Sequence, residues 1–228
     1  MNGFVPMGGP IYTTCLLLVM LSWVFFSLAF TVFRPKTPGA SAAAPTVAAV
    51  VSPGAPAGAA GAAPAETKPA RDLRSRWGVG LQFVGYFLMW FSFRPPFASL
   101  SKFPGPFALV VAASCVALAW VGASFAYWAQ RTLGKEWSYT ARLLEGHRLV
   151  TAGPYAIVRH PIYTSMLAMW IATALAVARP WGIVLGIVPM VWGTLVRVKI
   201  EDALLRQAFG ASFEEWKKRT PAMIPGLF

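Results

Sequence analysis

Residues 161–196, PIYTSMLAMWIATALAVARPWGIVLGIVPMVWGTLV, hold two apolar runs that meet at Arg179-Pro180, and the folding of this stretch decides the architecture. The runs 161–178 and 181–196 are near the short end of the about 17 to 25 residues that cross a hydrocarbon core as a helix. With little more than Arg179 and Pro180 between them, they must fold back as an antiparallel hairpin. Counting from Arg179, His160 lies 19 residues back and Glu201 22 residues forward, about 28 Å and 33 Å along ideal helices. The hairpin therefore returns Arg159 and His160 to the side that carries Arg197, Lys199, Glu201 and Asp202. Arg159 and His160 alone would suit the positive-inside end of a span; the second polar cluster opposite them favours a binding site. Pro161 fits the first turn of a helix, where its missing N–H would be unpaired anyway. The open helix N-terminus beside Arg159 and His160 offers partial positive charge for an anion. Arg197 and Glu201, four residues apart, share one helical face.

Outward from the hairpin, three more apolar runs of spanning length can be read at 11–33, 77–93 and 106–129. The 228 residues are 57% hydrophobic and 12% charged, outside the habits of a soluble domain. With the N-terminus outside, five spans place seventeen of the twenty basic residues on the cytoplasmic side, leaving Arg94, Lys102 and Arg179 outside. Topology and anionic headgroups thus account for the net charge of +12, and no aromatic-basic pattern of a nucleic-acid-binding module accompanies it. The expected fold is an all-α integral membrane protein, multi-pass with a cytoplasmic C-terminus, of about five transmembrane helices with a cytoplasmic cofactor pocket and a C-terminal amphipathic helix. The first run reads as a span rather than a signal peptide, because no basic residue precedes it and Arg34 and Lys36 follow. Cys15 and Cys115, inside spans, read as packing residues; neither a disulfide framework nor a metal site has the spacing it needs.

Residues 37–70 are dominated by Ala, Pro and Gly and cannot build a core, so they read as a flexible cytoplasmic tether. This divides the chain into an N-terminal anchor (1–36), the linker (37–70) and a membrane-embedded domain (71–228). The polar stretch 132–158, with His147 and Arg148, is too long for a turn and is expected to cap the fourth span. Residues 201–219 read as an amphipathic interfacial helix broken near Gly210. Gly182 and Gly186 have the small-xxx-small spacing of close helix packing.

A cavity positive on one wall and carboxylate-bearing on the other, adjacent to lipid, suits a zwitterionic ligand together with a greasy one. Here the residues carry a resemblance. The run Leu149 to Tyr163, containing Gly153-Pro-Tyr155 and Arg159-His-Pro-Ile-Tyr163, followed by Glu201-Asp202, Leu205, Phe209-Gly210 and a closing Pro, resembles the isoprenylcysteine carboxyl methyltransferase family and its phospholipid methyltransferase relatives. The resemblance covers roughly Trp128 to Pro225. It implies S-adenosylmethionine bound at the cytoplasmic side between the last two spans and the C-terminal segment. Gly153, Tyr155, Arg159, His160, Pro161 and Tyr163 match the family's donor-binding motif, and Glu201 and Asp202 its acidic pair. His147 joins them as a candidate donor contact or base. The expected contacts are His160 and the helix N-terminus to the donor's carboxylate, Glu201 to its ammonium, and Tyr155 and Tyr163 beside adenine or ribose. Ser165 stands where the family has Gly, and Phe213 and Trp216 where tyrosines are usual.

The expected activity is methyl transfer to an isoprenoid, lipid or prenylated acceptor, with Glu201 and Arg197 as the candidate catalytic pair. A carboxylate acceptor needs no base, whereas an amine or phenol would call on Glu201 or His147. The acceptor should enter laterally, past the second, third and fourth spans. An Ala/Pro/Gly-rich composition of bacterial character, with an inner-membrane location, makes a prenylated protein the less obvious acceptor. Two rivals stand beside this reading: an NADPH-dependent reductase of sterol or isoprenoid double bonds, and a membrane scaffold without turnover.

Overall fold

The computed structural model describes residues 9–32, 73–100, 103–134 and 149–226. The linker 37–70, His147 and most of the loop 132–158 lie outside the described residues. The described part is helical: α1 (Pro10–Thr31), α2 (Leu73–Phe91), a 3-10 turn at Ala98–Leu100, α3 (Gly105–Leu133), α4 (Pro154–Ile157), α5 (Pro161–Val177), α6 (Pro180–Phe209) and α7 (Ala211–Arg219). Among these residues no strand forms; an isolated antiparallel bridge joins Phe93 to Ala178. Three helices, α1, α3 and α6, are long and apolar enough to cross a membrane, and α5 is a shorter apolar helix.

The expected hairpin is present, with Ala178 and Arg179 as its only non-helical residues. One boundary differs. The fifth run was expected to end at Val196, yet α6 continues unbroken to Phe209. No proline or glycine interrupts 194–209, and the Arg197–Glu201 pair supports the added turns. The chain breaks at Gly210, whose φ of 50° places it in the left-handed region that glycine adopts freely. The expected helix 201–219 is therefore the end of α6 followed by α7.

Side-chain size decides which helices approach. In lipid there is no hydrophobic drive between helices, so close packing over small residues holds them together. Gly78 and Gly85 of α2 and Ser92 just after it recur every seven residues and meet Gly193, Gly186 and Gly182 of α6. A Cβ on Gly193 would lie 2.5 Å from the Gly78 carbonyl oxygen, and one on Gly85 2.8 Å from that of Gly186. The two helices are antiparallel, and α2 with α6 is the most extensive interface of the bundle. On α3 the small residues Ala108, Ala112, Cys115, Ala119, Gly122, Ala126 and Ala129 are buried. They admit α1 and α5, with Cys15 and Cys115 in the shared seam.

The first span is not a detached anchor. Tyr12, Val19, Ser22, Ala29 and Phe30 of α1 are buried, and Trp23 Nε1 donates to Thr173 Oγ1 of α5 at 2.9 Å. Residues near the start of both α1 and α3 pack together, as do residues near their ends, so the two are parallel. At the turn end of the hairpin, the segment after α2 closes off α5. Arg94 Nε donates to Ala178 O at 2.5 Å, while the backbone N–H groups of Arg94 and Phe97 donate to Val177 O and Ala176 O at 2.9 and 2.7 Å. These donors satisfy the carbonyls that a helix C-terminus otherwise leaves unpaired.

Candidate functional site

At the opposite end of the hairpin the polar residues converge. Gly153, with φ of 60°, begins the single turn α4. The left-handed φ favours glycine here, and a Cβ would lie 3.1 Å from Thr132 Oγ1 and so crowd the end of α3. The chain then runs extended through Val158 into the Pro161 start of α5. Beyond α7 the C-terminal segment returns alongside this stretch. The N–H groups of Arg159 and His160 donate to Pro221 O and Ala222 O at 2.8 and 2.9 Å, and Thr164 Oγ1 donates to Met223 O at 2.7 Å.

Arg159 and His160 face the acidic pair of α6. Arg159 Nη2 lies 3.0 Å from Asp202 Oδ2, and its Nη1 donates to Thr220 O at 2.5 Å. His160 Nε2 is 2.8 Å from Asp202 Oδ1, and Nδ1 is 3.5 Å from Glu201 Oε2. A ring set between two carboxylates can donate from both nitrogens only as imidazolium. Burial alone would lower the pKa of His160; hydrogen bonds to Asp202 and Glu201 outweigh it and hold the pKa above its ordinary value. Glu201 is gripped from its other side. The Tyr163 hydroxyl donates to Glu201 Oε1, Arg197 Nε donates to the Tyr163 hydroxyl oxygen at 2.6 Å, and Arg197 Nη2 lies 3.3 Å from Glu201 Oε1. The Arg197 guanidinium also lies 5.4 Å from the Tyr163 ring centre.

Exposure separates the two carboxylates. The side chain of Asp202 is 14% exposed between cations that are nearly fully buried, whereas that of Glu201 is 27% exposed. Asp202 is thus the internal counter-ion, and Glu201 presents a fixed, ionised carboxylate outward. Such a group can receive a ligand cation without reorganisation.

The expected residues divide accordingly. Arg159, His160, Tyr163, Arg197, Glu201 and Asp202 form one network; Pro161 begins α5 and Gly153 sets the turn before it. Two placements bear on the expected contacts. His160 directs both ring nitrogens to the acidic pair, and the N–H groups of Arg159 and His160, just before α5, donate to the C-terminal segment. Tyr155 is buried against Ala129, Phe213 and Trp216 rather than joining the charged network. The expected loss of hydrogen bonding at Phe213 and Trp216 is only partial, since Trp216 Nε1 donates to Tyr155 O at 3.1 Å. Ser165 is buried and donates to Pro161 O at 2.8 Å. Residues 220–223 escaped sequence reasoning because they contribute backbone carbonyls, which no side-chain pattern announces. Further into the bundle, Gln82 Nε2 donates to Thr194 Oγ1 at 2.9 Å, and the Tyr86 hydroxyl and Trp170 indole N–H have no hydrogen-bond partner among the described residues.

Residues 109–212 match the family model described as phospholipid methyltransferase. The chain is also similar to protein-S-isoprenylcysteine O-methyltransferase B of Arabidopsis thaliana, 31% identical over 97 residues, covering 41% of this chain and 49% of that protein. A protein-S-isoprenylcysteine O-methyltransferase of Schizosaccharomyces pombe is 33% identical over 79 residues, 35% of this chain and 34% of the relative. The cobalt-zinc-cadmium resistance protein CzcN of Cupriavidus metallidurans is 32% identical over 112 residues, 42% and 44% of the two chains. The chain spans at most about half the length of these curated relatives.

Proposed function

We propose that this chain, whose residues 109–212 match the phospholipid methyltransferase family model and which is similar to protein-S-isoprenylcysteine O-methyltransferases, methylates a lipophilic acceptor at the cytoplasmic face of a membrane. The observation that carries this reading is the partly exposed Glu201 carboxylate, held by Tyr163, Arg197 and His160 at the mouth of the hairpin. The residues fit S-adenosylmethionine. Glu201 offers its open side to the ammonium, and Arg159 Nε, buried without a partner, is a donor for the carboxylate. When bound, that cofactor supplies an electrophilic methyl group on a sulfonium.

The protein's part is positioning. Arg159, His160 and Asp202 fix the end of α6 against the start of α5, so Glu201 and Arg197 keep their places with their side chains already ordered. An acceptor carboxylate needs no base. An acceptor amine or phenol would use Glu201 to take its proton. The acceptor's apolar part stays in the bilayer and approaches between α2, α5 and α6, where Gln82, Thr194, Tyr86 and Trp170 supply polar groups within the apolar interior. The uneven distribution of basic residues supports five spans with the polar network on the cytoplasmic side.

Calorimetric titration of the purified full chain with S-adenosylhomocysteine and with NADPH tests the reading. S-adenosylhomocysteine is expected to bind, and Glu201→Gln to weaken it. Binding of NADPH alone would establish the reductase chemistry instead. Incorporation of labelled methyl from methionine into extracted lipids, lost on Glu201→Gln, identifies the acceptor and eliminates a scaffold without turnover.

A further inference from the structure

Gln130, in the last turn of α3, is fully buried, and neither its amide nitrogen nor its amide oxygen has a hydrogen-bond partner among the described residues. Buried polar groups are as a rule satisfied; among the described residues the Tyr86 hydroxyl, the Trp170 indole N–H and Arg159 Nε are also unpartnered, but Gln130 leaves both a donor and an acceptor unmet. Gln82, Ser92, Ser165, Thr173 and Thr194 are all buried, and each finds a protein partner. Gln82 is the direct comparison, because the same side chain at similar burial has its nitrogen bonded across to α6. An unpaired carboxamide is unfavourable, and a leucine or methionine would fill the space without that penalty.

Its place in the fold is informative. Ala129, the preceding residue, packs against Tyr155 and Ile162, and Ala126, one turn earlier, packs against Ile162 and Phe30. Gln130 therefore lies in the layer of the segment that carries Arg159 and His160, at the polar end of α3 just before Gly134 ends the helix. A lipid tail offers nothing to an amide, and a phosphate or carboxylate would satisfy only its N–H side. A carboxamide pairs on both sides with a flat ligand edge that sets a donor beside an acceptor. Adenine has such an edge, with its 6-amino group next to a ring nitrogen.

We propose that Gln130 is a specificity residue that reads the adenine of the methyl donor, donating from its nitrogen to a ring nitrogen and accepting the 6-amino hydrogen at its oxygen. This rests on the donor reading above. The test uses the full chain in detergent micelles, titrated with S-adenosylhomocysteine and with its purine analogue lacking the 6-amino group. The unaltered protein is expected to favour the adenine form by about tenfold or more, as one hydrogen bond in a buried site supplies. Gln130→Met should bind the adenine form more weakly and lose the preference. Its melting temperature should not fall, because no protein partner is removed; this separates a ligand contact from a structural one. Equal binding of the two ligands by the unaltered protein, or a preference retained in Gln130→Met, overturns the assignment. Failure of the unaltered protein to bind either ligand overturns the donor reading itself and this inference with it.

Discussion

The two neighbouring carboxylates should respond oppositely to the same chemical change. Asp202→Asn keeps the shape and removes the charge between Arg159 at 3.0 Å and His160 at 2.8 Å, whose side chains are 5% and 4% exposed. Removing one partner of a fully buried pair costs about 3–5 kcal/mol. Because Asp202 is 14% exposed and asparagine still accepts one hydrogen bond, about 2–3 kcal/mol is expected here. For a chain of this size each kcal/mol moves the melting temperature by about 2–4 °C, which gives a fall of about 5–10 °C. Glu201→Gln should lower the melting temperature less than Asp202→Asn does, because Glu201 is more exposed than Asp202, 27% against 14%, and glutamine can still accept from Tyr163 and Arg197. It removes the ion that would receive the donor's ammonium, however, and one charged hydrogen bond is worth about 10- to 100-fold in affinity. Thermal melts in detergent, paired with calorimetric titration of S-adenosylhomocysteine, read both quantities on the same samples. If Asp202→Asn melts within about 2 °C of the unaltered protein, or Glu201→Gln binds the ligand undiminished, the division of labour between the two is wrong.

Three further outcomes follow from the geometry. Gly193→Val should destabilise by about 3 kcal/mol or more, since even its Cβ would lie 2.5 Å from Gly78 O and 2.9 Å from Gln82 N; Gly80→Ala, with open space at its Cβ, should be neutral or slightly stabilising in the same thermal melts. Arg94→Ala frees the Ala178 and Leu175 carbonyls at the turn end and should cost about 1.5–3 kcal/mol, while leaving affinity for S-adenosylhomocysteine unchanged, because it lies at the far end of the hairpin. His160 has a raised pKa in the folded state, so its contribution is fully present below about pH 6.5, its ordinary value, and is lost as pH rises through the raised one. The melting temperature should therefore decline from neutral to alkaline pH, and His160→Gln should flatten that slope; an identical slope in both proteins counts against the charged ring.

How much of this was legible beforehand depends on which physical quantity each feature rests on. Apolar run length is a property of composition, so α1, α2, α3 and α5 fall within a few residues of the runs read from sequence. The end of α6 was missed because polarity rises after Val196 while helix propensity does not fall until Gly210. The convergence of Arg159 and His160 with Glu201 and Asp202 followed from helix rise and a two-residue turn. Their individual contacts did not, because which nitrogen of His160 meets which oxygen depends on side-chain rotation that spacing leaves open. Helix pairing was also hidden. Gly78, Gly85 and Ser92 form a seven-residue stripe, but it becomes meaningful only against Gly193, Gly186 and Gly182 in antiparallel register.

That pairing bears on the site. Although α5 and α6 are joined by two residues, α6 lies chiefly along α2, and α5 along α3. Between them, Met89 of α2 packs against Trp170 and Ala174 of α5 and Met190 of α6, with Tyr86 at the edge of the same cluster. The hairpin is thus fastened at its ends, by the Arg94 closure at the turn and by the charged network at its mouth, and is wedged by α2 in its middle. Glycine contacts seat α2 against α6, so they also help fix the helix that carries Glu201. A residue that only fills space, such as Gly193, can therefore govern how an acceptor meets the carboxylate one helix further on. The signature would be a fall in turnover greater than any loss of donor affinity in a mild variant such as Gly193→Ala. A purely local packing defect would lower stability and leave that ratio alone.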